Sequence, residues 1–236
     1  MSIPIGVTAG ELQGWIALAA ALGTAVLGLL KYFDFRSKSE RRAAAGEAFA
    51  KTVDGLAAED EVKRLAGAIL LRRFFDSETE QGEKDMPYAK EALGVVAATL
   101  RGTPTGTLQK LLADGLAYAP RLQDIDLQRC NLQNAYLGER PDRKPDFSRA
   151  DFFEADLRDA SLKRAIAREA VFFKATLRGT VFKAAELEGA DFRESDLDGA
   201  SFDGANLAGA WFEGAKNVPA DIESRLDLDH RIPRDG

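Results

Sequence analysis

The sequence predicts a repeat solenoid preceded by one transmembrane helix and an all-α segment of helical hairpins. Three observations predict this. Leu or Phe stands at almost every fifth position of the second half, an uncharged run of 19 residues opens the chain, and apolar residues recur at helical spacing in between.

Composition bounds the function. The chain has 236 residues, 45% hydrophobic and 30% charged, which suits one or two modest domains. A net charge of −6 argues against a nucleic-acid partner, because dedicated binders are basic. The single cysteine, Cys130, rules out a disulfide framework and a cysteine-cage metal site. The single histidine, His230, leaves little for a His-based triad or a His-rich metal centre. No nucleophile–base pair stands out, so no catalytic residue, cofactor or metal is expected and the chain reads as a non-enzyme.

The opening run is LQGWIALAAALGTAVLGLL, from Leu12 to Leu30. As a helix it reaches about 28 Å, close to the thickness of a bilayer core. Trp15 and Tyr32 stand near its two ends, as interfacial aromatics do. The basic residues Lys31, Arg36, Lys38, Arg41 and Arg42 follow the run instead of preceding it. That order disfavours a cleaved signal and places the C-terminal bulk in the cytoplasm, with the N-terminus outside and the lipid bilayer as a partner. Ala17, Ala21 and Ala25 form one small-residue row, and Ala20, Thr24 and Gly28 form another. Such rows let helices approach closely, so the span is a candidate surface for a homo-oligomer.

Residues 36–119 read as helices. Phe49, Val53 and Leu56 make a first stripe, and Val62, Leu65, Ala66, Ile69, Leu70 and Phe74 make a second. Pro87 suits the first turn of a third helix carrying Leu93, Val96 and Leu100. Thr107 is expected to cap a fourth, with Leu108, Leu111, Leu112 and Leu116. Between these two, GTPTG at 102–106 lacks the Gly-Lys-Ser/Thr ending of a phosphate loop and reads as a turn.

The repeat runs through Leu122, Leu127, Leu132 and Leu137, then from Phe147, Phe152, Leu157 and Leu162 through Phe172 to Phe212, with Ala167 in phase. Ala stands two places before most of these centres, and Cys130 and Ser195 occupy the same slot. A period of five matches neither a helix nor a flat strand. Its A(D/N)LXX pattern resembles the pentapeptide-repeat family over about 120–215. The resemblance implies a mainly β solenoid, a right-handed quadrilateral β-helix with four pentapeptides per coil. In that fold the centre and the small residue before it both point inward, and Cys130 is a buried small residue.

Folding at 20 residues per coil then stacks Phe152, Phe172, Phe192 and Phe212 in one column, and Leu127, Phe147, Ala167, Leu187 and Leu207 in another. Residues 138–146 (GERPDRKPD) keep the phase but carry no apolar centre. They read as a solvated loop replacing one face, with Arg140, Arg143 and Lys144 on it. Pro219–Leu228 reads as a capping helix with Ile222, Leu226 and Leu228 inward.

The outward positions hold the candidate interaction surface. Phe153 and Phe173 should stack one coil apart, with Val171 and Trp211 on the same side. Arg158, Lys163, Arg168, Arg178 and Lys183 should form a basic band. The expected organisation is an anchor at 1–35, a HEAT-like helical segment at 36–119, the repeat at 120–216, and a cap and tail at 217–236. This order resembles bacterial membrane-anchored pentapeptide-repeat proteins. It implies a non-enzymatic scaffold of the inner membrane whose cytoplasmic solenoid wall binds a protein partner or a second copy. Two alternatives are a DNA-mimicking topoisomerase-binding protein and an effector that perturbs membranes through oligomerised spans.

Overall fold

The computed structural model describes residues 39–76, 88–119 and 121–234. The chain divides after Glu47 into two compact units. The described part of the first, 39–47, is helical. The second begins with helical residues 48–56 (α1), followed by α2 (Glu61–Leu71) with a 3₁₀ turn at Arg72–Phe74, α3 (Ala89–Gly102) and α4 (Thr107–Leu116). The short α5 (Ala220–Glu223) follows the repeat.

Among the described residues, no helix is long and apolar enough to cross a membrane. The expected span, Leu12 to Leu30 with Trp15, Ala20, Thr24 and Gly28, lies outside them. The single-pass inner-membrane topology, the bilayer as partner and oligomerisation through the span therefore find no support in any described element.

Asp60 caps α2, its carboxylate accepting the Lys63 N–H at 2.8 Å. The face that α2 buries differs from the expected stripe. Gly67, Ala68 and Leu71 are inward, whereas Val62 is 74% and Ile69 58% exposed. The cause is a close backbone approach: a Cβ on Gly67 would lie 2.6 Å from the Leu56 nitrogen. A glycine lets the end of α1 settle against α2, and that contact rotates the larger side chains outward. In α4 the expected Thr107 cap is also corrected. Thr107 is the first helical residue, Gly106 holds the cap position, and no side chain caps the helix. The structure buries Gln109 and leaves Leu111 exposed.

The expected β class is corrected as well. The described residues contain no β-strand, and their regular elements are helices. The repeat is held by isolated single-residue bridges, mostly parallel, such as Asp151↔Val171, Val171↔Asp191 and Asp191↔Trp211. The physical reason is the turn frequency. Each pentapeptide spends its middle residues on a turn, so one bridging residue per side remains, too few for a strand. Except after Leu137, the residue two past each centre is left-handed, at φ between 53° and 59° from Asp124 to Glu194 wherever it is not glycine. Among the described residues no continuous wall of strands exists for a second copy to pair against, so oligomerisation through such a wall is corrected too.

Inside the windings, Phe152, Phe172, Phe192 and Phe212 stack at centroid separations of 4.8, 5.0 and 5.0 Å. Phe182 and Phe202 stack beside them at 5.0 Å and meet the first column edge-on. The second expected column is corrected at its base. Asp126 pairs with Asp151, 25 residues on, while later bridges span 20. The loop at 138–146 thus adds one pentapeptide to the first winding instead of replacing a face. Leu127, whose N–H donates to Asp151 O, therefore lies beneath Phe152, not Phe147.

The helices close the first winding. Gln109 Nε2 donates to Asn131 O at 3.0 Å and Gln133 O at 3.1 Å. Arg101 Nε donates to Gln128 O at 2.9 Å, and the Asn131 N–H donates to Leu100 O at 3.1 Å. These contacts satisfy backbone groups that an open end would expose. At the other end Ile222 is buried, but the expected inward Leu228 is 99% exposed. The chain returns instead through an antiparallel bridge, Trp211↔Arg231.

Candidate interaction surface

The 20-residue register places Phe153, Phe173, Val171 and Trp211 on one side of the windings. The Phe153 and Phe173 rings lie 5.8 Å apart and 26° from parallel. All four side chains are half-buried. Their rings are covered by cations of the same chain, Lys174 among them at 5.0 Å from the Phe173 ring centre. The Arg193 guanidinium sits 3.7 Å from the Trp211 ring centre and 5.4 Å from that of Phe173. Arg231 approaches Trp211 at 4.3 Å, and Arg129 approaches Phe153 at 5.7 Å. Arg193 is itself forked onto Asp191 at 2.6 Å, and that hydrogen bond is the main reason its pKa is raised. Trp211 Nε1 is buried with no hydrogen-bond partner among the described residues.

The basic residues lie on the other three sides, because they fall between Phe153 and Phe173 in the 20-residue register. Most meet carboxylates. Arg158 is held on Asp156 at 2.6 Å, Arg168 on Glu186 at 2.6 Å and Arg178 on Asp198 at 2.7 Å. Lys163 and Lys183 are exposed. The structure therefore brings the aromatic residues together and does not bring the basic band to them. Sequence reasoning missed Arg193 and Arg231. Arg193 had a signal, since it stands 20 residues after Phe173. Arg231 had none, because only the returning tail places it.

The loop at 138–146 also differs from its expected solvated state. Arg140 Nη1 donates to the Tyr118 hydroxyl at 2.9 Å. The Arg143 side chain is 16% exposed, donates to Tyr118 O, and reaches the buried Asp76 at 3.8 Å. Arg72 and Arg140 stand 3.5 and 3.8 Å from the Tyr118 ring centre. Two guanidiniums that close to one centre must take opposite faces. Lys144 pairs with Glu186, and that hydrogen bond is the main reason the Glu186 carboxyl is held below its ordinary range. The loop thus ties the helices to the windings.

Cys130 is fully buried, its Sγ 3.4 Å from Ala97 O, and burial pushes its thiol up to about 12.

Residues 146–183 and 182–216 match the family described as pentapeptide repeats, in 8 copies. That match falls on the windings from residue 146 onward. Three solved structures are similar to the chain. HetL, a pentapeptide repeat protein involved in heterocyst differentiation regulation from Nostoc sp. strain PCC 7120, is 29% identical, with 45% of this chain and 51% of that one covered and a TM-score of 0.29. The pentapeptide repeat protein Rfr23 of Cyanothece 51142 is 27% identical, covering 39% and 63%, with a TM-score of 0.24. A pentapeptide repeat protein of the Arabidopsis thaliana thylakoid lumen is 26% identical, covering 52% and 79%, with a TM-score of 0.28. The chain spans about half the length of HetL. No curated protein matches it.

The pentapeptide-repeat part of the expected resemblance is supported, and its membrane-anchored form is corrected. The anchored scaffold and the membrane-perturbing alternative both rest on a span that no described helix provides. The solenoid wall rests on strands that the described repeats lack. The topoisomerase alternative, which borrows the same walled solenoid, goes with it.

Proposed function

We propose that this chain is a non-catalytic protein-interaction module whose contact surface is the aromatic side of its pentapeptide repeats. The observation that carries this reading is the unbroken row Arg129–Phe153–Phe173–Arg193–Trp211–Arg231, with each ring against a guanidinium. Aromatic and arginine side chains dominate the energetic centres of protein interfaces, because they bury large areas while keeping a polar edge. A single histidine and a buried, protonated Cys130 support the non-catalytic part. Of the basic side chains Arg158, Lys163, Arg168, Arg178 and Lys183, the exposed Lys163 and Lys183 are the ones that steer encounter at longer range.

The test compares wild type with a Phe153→Ala/Phe173→Ala variant in capture from extracts of the source organism. Thermal unfolding of both proteins serves as the folding control. The variant is expected to lose at least one captured protein, with affinity for it lowered about tenfold or more. Identical captured sets from two equally stable proteins would remove the aromatic side from the account.

A further inference from the structure

We propose that the last winding carries a backbone docking edge, Ala200–Leu207, which takes an extended basic segment of a partner protein. One winding earlier, the Phe182, Ala184 and Leu187 N–H groups donate to Ser201, Asp203 and Asn206 carbonyls at 2.7, 2.8 and 2.8 Å. Thr180 O and Ala185 O accept from the Ser201 and Asn206 N–H groups at 3.0 and 2.9 Å. The equivalent groups of the last winding are the N–H of Phe202, Gly204 and Leu207 and the C=O of Ala200 and Ala205. Among the described residues they have no backbone partner.

The other two sides are closed, by Asp196↔Lys216 and by Trp211↔Arg231. The asymmetry follows from the path of the chain. After Lys216 it crosses as α5, puts Ile222 into the core, and returns only opposite Trp211. The edge itself is ordered, because the Ala205 N–H closes its turn on Phe202 O at 2.8 Å. Phe202 at 6% and Ala200 at 8% keep some exposure where their counterparts Phe182 and Thr180 have none.

Donors and acceptors at main-chain spacing are matched by another main chain. The winding below shows the register a guest would take: parallel, with bridging residues opposite Ser201 and Asn206. The guest's charge follows from the edge. Residues 200–207 carry Asp203, which is exposed, and no basic side chain, and Arg234 of the tail packs against Gly209, past the end of the edge. A lysine or arginine beside the guest's inward residue complements it. This edge is separate from the aromatic side, so either proposal stands or falls without the other.

The test uses the full chain, with backbone amides followed by NMR. The probe is a synthetic peptide with the sequence of residues 180–190 in which both glutamates are replaced by lysine. Its control is the same peptide N-methylated at the valine that would bridge Ser201. Shifts and slowed exchange are expected at Phe202, Gly204 and Leu207, and N-methylation should abolish them. Asp203→Lys should weaken binding about fivefold while leaving the fold unchanged. Absence of shifts at these amides, or equal shifts with the N-methylated peptide, would overturn the proposal. So would slow exchange there before any peptide is added, whether at all concentrations or only at high concentration, because the edge would then already be covered by this chain or by a second copy.

Discussion

From Ala150 onward each pentapeptide holds only a small side chain two places before its centre, and the rule can be followed residue by residue. Where Ala is replaced, the replacement satisfies its own polar atom. Thr180 Oγ1 donates to Leu157 O at 2.8 Å, and Ser195 Oγ donates to Phe192 O at 2.6 Å. Cys130 fills the same slot against Ala97. This slot was legible in the sequence because it recurs with the centres. The left-handed turn residues were not, since Asp124, Arg149, Lys174 and others adopt a conformation that glycine takes more readily. A prediction belongs to Cys130. Its thiol is raised by burial from an ordinary 9.0 to about 12, so the folded state keeps a proton that the unfolded chain releases. Stability from this group is complete below about pH 9 and declines as pH rises through about 12. Denaturant titrations from pH 8 to 11 should show that decline in wild type and a flatter curve in Cys130→Ala. Equal curves would place the thiol in water.

Among the elements, α2 and the 138–146 loop show what spacing alone could not give. The apolar stripe of α2 was legible as helical, yet the buried face was not, because Gly67 approaches α1 more closely than any large side chain allows. The loop kept phase by adding a whole pentapeptide, a change that counting from Leu137 to Phe147 cannot distinguish from a replaced face. Its arginines looked solvated because their partners, Tyr118 and Asp76, stand far away in sequence. Arg143→Ala should destabilise the protein by about 2 kcal/mol, because it withdraws a charged donor from Tyr118 O and from the neighbourhood of a buried carboxylate. Urea unfolding followed by Trp fluorescence measures this. A variant as stable as wild type would return the loop to the solvent-facing state that its composition predicts.

For the whole molecule, the period of five made the stacked Phe column legible before any coordinates, because each winding repeats the same local decision. The β class was misread for a related reason. Turns recur so often that neighbouring windings share single bridges and never strands. The closure by Gln109 and Arg101 was hidden because both residues look like polar helix surface until the first winding is placed over them. The proposed contact surface was half legible: the aromatic residues followed from the register, and the Arg231 part of their cover depended on a tail that folds back. The account rests on an inward column that runs Leu127–Phe152–Phe172–Phe192–Phe212 past an inserted pentapeptide. The most direct test is a nuclear Overhauser spectrum of the full chain with labelled Leu and Phe side chains. The expected result is serial contacts from Leu127 to Phe152 and onward from ring to ring up to Phe212. Contacts from Leu127 to Phe147 without Phe152, or rings without serial contacts, would contradict it.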